Sequence, residues 1–119
     1  MKVDSTLIRE VLRTKEYELH FLSLEDRVKI KYDYVIQLIQ TQRVISKKFV
    51  KKIQNTELYE VRVSVGTNEH RTMLIAVDNP NFIEATRVIL INSFLKKDSK
   101  QYKKEIEKAK TIIEKEGLI

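Results

Sequence analysis

The spacing of apolar residues changes near Glu57, in the middle of this chain, and that change restricts the folds open to it. Before it, Val28, Tyr32, Val35 and Ile39 recur at the spacing of an amphipathic helix. After it, Tyr59, Val61, Val63 and Val65 alternate with Leu58, Glu60, Arg62 and Ser64, the repeat of a half-buried strand. Gly66-Thr67-Asn68 predicts a hairpin turn, because Gly and Asn tolerate positive φ. Glu69 to Val77 then returns as a second strand, and Asp78-Asn79-Pro80-Asn81 turns the chain again. The β-branched and aliphatic run within Ala85 to Leu95 predicts a strand at the sheet centre.

The flanks of this meander are helical. Ile8 to Thr14 predicts a short strand in which Ile8, Val11 and Leu12 are apolar and Arg9, Glu10 and Arg13 polar. Lys15 to Leu22 predicts a helical turn or two, and Ser23-Leu24-Glu25-Asp26 resembles a capping box opening a longer helix. Ser46 is expected to cap a further short helix with Phe49, Val50 and Ile53 on its buried side. A last helix from Ser99 carries Tyr102, Ile106, Ala109 and Ile112 on one face and stops near Gly117. The order predicts an α+β domain: an N-terminal strand and helices, a three-stranded antiparallel meander, and a C-terminal helix. About four strands are expected, with the helices of residues 23–54 on one face and the other face open to a ligand. With only two glycines and one proline to build linkers, residues 1–119 read as one domain.

Cysteine is absent, which removes disulfides and thiolate metal sites. Met1-Lys2-Val3-Asp4-Ser5 has no leader-like apolar stretch, and Val88-Ile89-Leu90-Ile91 is too short to span a bilayer. A cytoplasmic protein with no membrane partner is expected. No HExxH, Gly-rich phosphate loop or GxSxG occurs, so no metal or cofactor is expected.

The chain carries 23 Lys plus Arg against 17 Asp plus Glu, a net charge of +6. The excess is clustered: Arg43, Lys47, Lys48, Lys51 and Lys52 lie in an acid-free segment, and Lys96 to Lys115 is rich in lysine. Such clustering favours a polyanion or an acidic protein partner, as opposed to an ordinary solvated face. Lys47, Lys48, Lys51, Lys52, Lys100 and Lys103 are the expected contacts to such a polyanion, and the RNA-binding positions if it is RNA. The hairpin sets Arg62 and Arg71 on facing strands. A two- or four-residue loop puts them opposite each other on one face, and a three-residue loop puts them on opposite faces. Sharing a face, they need a phosphate or carboxylate between them, which Glu57, Glu60 or Glu69 could also supply. Lys96, Lys97, Lys100 and Tyr102 form a second cluster, although Tyr102 also sits on the apolar stripe of its helix. His20 reads as structural or solvent-facing, and His70 as alternating to the face away from Arg71.

The segment Leu58-Tyr59-Glu60-Val61-Arg62-Val63, then Gly66 and Glu69-His70-Arg71, resembles the central hairpin of RelE/HigB-type toxins, in particular their phage-derived Gp-like branch. Asn92-Ser93-Phe94-Leu95-Lys96-Lys97 and the helix Lys103-Lys104-Glu105-Ile106-Glu107-Lys108-Ala109 are similar to the end of those proteins. The likeness runs from about Ile8 to Glu116. It implies a RelE-like fold and the toxin of a type II toxin–antitoxin system, held by an antitoxin of helix-turn-helix type. It implies a metal-free endoribonuclease that cuts mRNA, on or off the ribosome. By position, Arg62 would orient the attacking 2′-hydroxyl and Arg71 would stabilise charge on the phosphorane. Lys96 or Lys97 would do likewise or assist the leaving oxygen, and Tyr102 would stack on a base. Arg71 is expected to project from the sheet, so that its loss spares the fold. The alternatives are a non-catalytic toxin of the same fold, directed at gyrase like ParE, an inactive phage-derived binding protein, or a basic domain that only binds an acidic partner.

Overall fold

Alternation along two neighbouring stretches makes a hairpin, and the hairpin becomes the middle of a five-stranded sheet. The computed structural model describes residues 7–119; the reading of Met1 to Ser5 lies outside the described residues. In chain order the elements are β1 (Glu10–Arg13), α1 (Lys15–Leu22), α2 (Asp26–Thr41), β2 (Val50–Lys52), β3 (Leu58–Val65), β4 (Asn68–Ala76), β5 (Arg87–Leu95) and α3 (Ser99–Glu116). The sheet order is β1-β5-β4-β3-β2, with β1 parallel to β5 and the other pairs antiparallel. The α+β reading therefore holds, with the meander and the C-terminal helix where the periodicity put them.

Val65 pairs with Asn68, so the β3–β4 turn is the two-residue loop Gly66-Thr67. Gly66 has φ 61°, the left-handed conformation that the first position of such a tight hairpin turn demands. β4 and β5 slip register between Thr72 and Leu74: one residue of β4, Met73, faces two of β5, Ile91 and Asn92.

Parity along each strand divides the apolar residues into two layers. Val28, Tyr32, Val35 and Ile39 of α2 pack with Val61, Val63, Leu74 and Leu90 on one side of the sheet. Ile53, Leu58, Met73, Ile75, Ile89 and Ile91 form the other side, covered by Ala109, Ile106 and Ile112 of α3. Each such fully buried aliphatic side chain contributes about 1.5–3 kcal/mol. Asp98 caps α3 by accepting from the Gln101 amide at 2.8 Å, and Gly117 ends it at φ 61°.

Four expectations are corrected. The segment after Ser46 is a turn leading into β2, because three residues paired with β3 satisfy backbone groups that an isolated short helix could not hold. Ser46 still directs the turn, its Oγ accepting from the Lys48 amide at 3.1 Å. Ser23 closes α1, its Oγ donating to the His20 carbonyl at 2.6 Å, and α2 starts after Glu25 with no side-chain cap. The sheet has five strands instead of about four. Its second face is not open along its length, since the apolar stripe of α3 needs that face for burial. One boundary and one position also move: β5 begins at Arg87, and β4 rather than β5 is the middle strand.

Arg9 is almost wholly buried, immediately before β1. Its guanidinium donates to the carbonyls of Ile39 (2.9 Å), Gln42 (2.5 Å), Arg43 (2.6 Å), Phe82 (3.1 Å) and Ile83 (3.3 Å). The Arg9 fork lies 4.1 Å over the Phe82 ring. Burial, then the nearby charge of Arg43, lowers its pKa.

Candidate functional site

The even-numbered loop of the β3–β4 hairpin settles the parity: Arg62 and Arg71 are direct cross-strand partners on the α3 side of the sheet. Glu60, two residues before Arg62, shares that side. Its Oε2 lies 2.9 Å from Nε of Arg62 and 3.8 Å from Nε of Arg71. The Tyr102 hydroxyl, reaching down from the first turn of α3, donates to Glu60 Oε1. Two guanidiniums, one carboxylate and one phenol thus meet at a single point.

The Nε–H groups of both arginines are buried and have no hydrogen-bond acceptor among the described residues. Both are attracted to Glu60 by charge, but the Arg62 N–H is not aimed at it and Arg71 lies beyond hydrogen-bond reach. Arg71 is 4% exposed, and it donates through Nη1 to the His70 carbonyl at 3.0 Å and to Glu69 at 3.3 Å. It does not project from the sheet as the sequence suggested, because α3 and the aromatic pair Phe94–Tyr102 lie on its side. Arg62 is 28% exposed and donates to the Lys47 carbonyl at 3.4 Å. Beside the carboxylate opens a groove of about 420 Å³ lined by Lys51, Lys52, Ile53, Gln54, Glu60 and Tyr102.

Electrostatics assign what these groups can do. Burial and the bonded Glu60 carboxylate raise the pKa of Tyr102, so it keeps its proton and serves as a hydrogen-bond donor and positioner. Its ring packs edge-on to Phe94 at 6.1 Å, which leaves less of it for base stacking than the sequence implied. Ser64 and then Arg71 hold the Glu69 carboxyl below its ordinary range.

The remaining cationic positions surround this point unequally. Lys51 pairs in register with Glu60 and therefore belongs to the same side. Lys52 alternates away, with its ammonium on the Thr56 carbonyl and 5.7 Å over Tyr59. Lys96 is tied to the sheet end by its amide, which donates to the Glu69 carbonyl at 2.8 Å, and the Lys97 amide donates to Gln101. Lys47 and Lys48 lie in the turn before β2, and Lys100 and Lys103 in the first turns of α3; all four are exposed. Glu60 was legible only as one of three carboxylates able to pair with the arginines. Its place at the centre needs the register of three strands and the approach of α3.

His70 faces α2, as its parity predicted, with its ring 6.2 Å from Tyr32. Both its nitrogens are buried without partners among the described residues. Burial, then the neighbouring His20, lowers its pKa. Folding therefore favours the neutral ring, and its contribution is complete above the unfolded value near 6.5 and is lost as pH falls through the folded value. Urea-unfolding stability is expected to fall between about pH 7 and 5, and the fall to shrink in His70→Gln. An equal pH slope in the variant would remove His70 from the account. Among the described residues no group of three or more His, Cys, Asp or Glu is placed to hold a metal ion.

A family model described as phage-derived protein Gp49-like (DUF891) matches residues 20–114. The chain belongs to the Gp49-like family. This is the phage-derived branch that the hairpin motif resembled, and the match spans α2, the whole meander and most of α3. Among solved structures, the isolated RelE toxin of E. coli is similar at 11% identity, covering 82% of this chain and 95% of that one, with a TM-score of 0.48. No curated protein matches the chain. In this Gp49-like chain no described helix is long and apolar enough to cross a membrane.

Proposed function

We propose that this chain is one toxin domain of a type II toxin–antitoxin system and a metal-independent endoribonuclease acting on mRNA in the cytoplasm. The observation that supports the reading is the pair of buried Nε–H donors on Arg62 and Arg71, cross-strand partners that have no acceptor among the described residues. A phosphate supplies the acceptor oxygens that such donors lack, in the planar geometry that arginine favours. In the reaction the 2′-oxygen forms a bond to phosphorus as the bond to the 5′-oxygen breaks. Arg62 orients the hydroxyl and phosphate, and Glu60 is the carboxylate at hand to accept the proton. Arg71 stabilises the growing phosphorane charge from behind. Lys96 or Lys97 protonates the leaving oxygen, while Tyr102 holds the carboxylate. Lys47, Lys48, Lys51, Lys100 and Lys103 track the backbone, with Lys52 further round. An antitoxin of helix-turn-helix type covers this surface until it is lost.

A second reading has its own support. Arg71 and Glu60 are both nearly inaccessible and neutralise each other, which suits a non-catalytic toxin of the same fold, directed at gyrase, or an inactive binding protein. Purified protein mixed with single-stranded RNA, with and without ribosomes and with a chelator present, decides between them. Cleavage insensitive to chelator is expected. RNA affinity should fall with a log–log salt slope of about −3 if four phosphates are contacted. Binding indifferent to salt, or no cleavage under either condition, counts against the nuclease.

A further inference from the structure

On the far side of α2 from Tyr17 and Phe21, a second surface lies outside the arginine site. Ile30, Tyr34 and Leu38 fall on one stripe of α2 by helical spacing, and the stripe continues onto Val44, Ile45 and Phe49. Ile30 is 69% and Val44 70% exposed. Between them is a groove of about 240 Å³ lined chiefly by Tyr34, Leu38, Val44, Ile45 and Phe49. No carboxylate belongs to its lining, because Asp33, the nearest acid of α2, lines the groove on the opposite side of the helix with Tyr17. Cations do frame it: Lys31 lies 5.5 Å over Tyr34 and Lys48 5.7 Å over Phe49.

We infer that this groove docks an acidic amphipathic helix of a protein partner, with apolar anchors in the groove and carboxylates on Lys31 and Lys48. Three observations favour a protein over a nucleic acid. Three aliphatic side chains, Leu38, Val44 and Ile45, share the lining with the two rings, where bases want open aromatic faces. The faces of Tyr34 and Phe49 are taken, since the rings pack edge to face at 6.2 Å and carry the lysine ammoniums. The stripe repeats at the i, i+4, i+8 spacing by which helices seat in grooves. The groove is also joined to the proposed active site through the backbone of the segment before β2. Phe49 O accepts from the Arg62 amide at 2.7 Å, and Lys47 O accepts from its guanidinium at 3.4 Å. A helix seated here bears on the 47–49 segment whose carbonyls hold Arg62, so this surface rests on the nuclease reading for its inhibitory role, but not for binding itself.

The test is a titration of the isotope-labelled protein with a synthetic helical peptide carrying Leu on one face and Glu elsewhere, followed by amide chemical shifts. Shifts confined to residues 30–49 and Arg62 are expected, with affinity lowered about tenfold in Val44→Glu, an exposed position whose change spares the fold. A peptide with Lys in place of Glu should not bind. Absent shifts, equal binding by the lysine peptide, or the same shifts from single-stranded RNA overturn the inference. So does self-association of the protein through these residues on sedimentation. Shifts in the groove together with a lack of RNA cleavage would sink the nuclease alone.

Discussion

Arg62→Ala is expected to slow RNA cleavage on the order of 100-fold while the protein still folds. Of the two paired arginines it is the part-exposed one, its side-chain hydrogen bond goes to a single backbone carbonyl at 3.4 Å, and its loss leaves Glu60 still beside Arg71 and bonded to Tyr102. Its removal takes away one of two donors facing the proposed phosphate seat. The loss falls on the transition state, where charge on the phosphoryl oxygens is largest. Arg62→Lys restores a point charge but not the planar fork, so recovery should be partial. Cleavage of a labelled RNA, growth arrest on expression and a circular-dichroism melt are the three measurements. Parental cleavage by a normally melting Arg62→Ala protein means that the site is elsewhere. Arg71 is a poorer probe, because a buried guanidinium cannot be deleted without disturbing the sheet around it.

Glu60→Ala is expected to lower stability by about 3 kcal/mol, since it leaves two cross-strand guanidiniums facing each other with no anion between them. For a chain of this size that corresponds to a fall in Tm of roughly 10 °C. Glu60→Gln keeps an acceptor for the Tyr102 hydroxyl and should cost less. Replacing both sides of the pair, Glu60→Leu with Arg71→Met, should regain much of the loss, because no buried charge is then stranded. Urea unfolding of the four proteins gives the comparison. A Glu60→Ala variant as stable as the parent shows that the carboxylate does not hold the arginines together.

The hairpin was legible because its alternation, its glycine and its arginines are all local. Whether Arg62 and Arg71 meet depended on one integer, the loop length, which Gly66-Thr67-Asn68 left open among two, three and four. The strand at Val50 was hidden inside a segment with helical spacing, because its pairing with Val61 is a tertiary fact. The burial of Arg71 was hidden for a related reason: the stripe of Tyr102, Ile106 and Ala109 predicts a buried helix face but does not say which side of the sheet receives it. Arg9 reads in sequence as the polar member of a ragged alternation. Nothing near it announces five carbonyl partners, which come from segments 30 to 74 residues away.

That last residue ties the chain's mechanics together. Arg9 holds the entry to β1, the C-terminal end of α2 and the Phe82–Ile83 loop in one grip, through carbonyls that no other described side chain apart from Arg43, at Ile83, is seen to satisfy. Releasing any one of the three strands a charge in the interior, so the segments are coupled into one cooperative unit of unfolding. The parallel β1, short and at the sheet edge, gains from this a permanence that its own four pairings with β5 could not give.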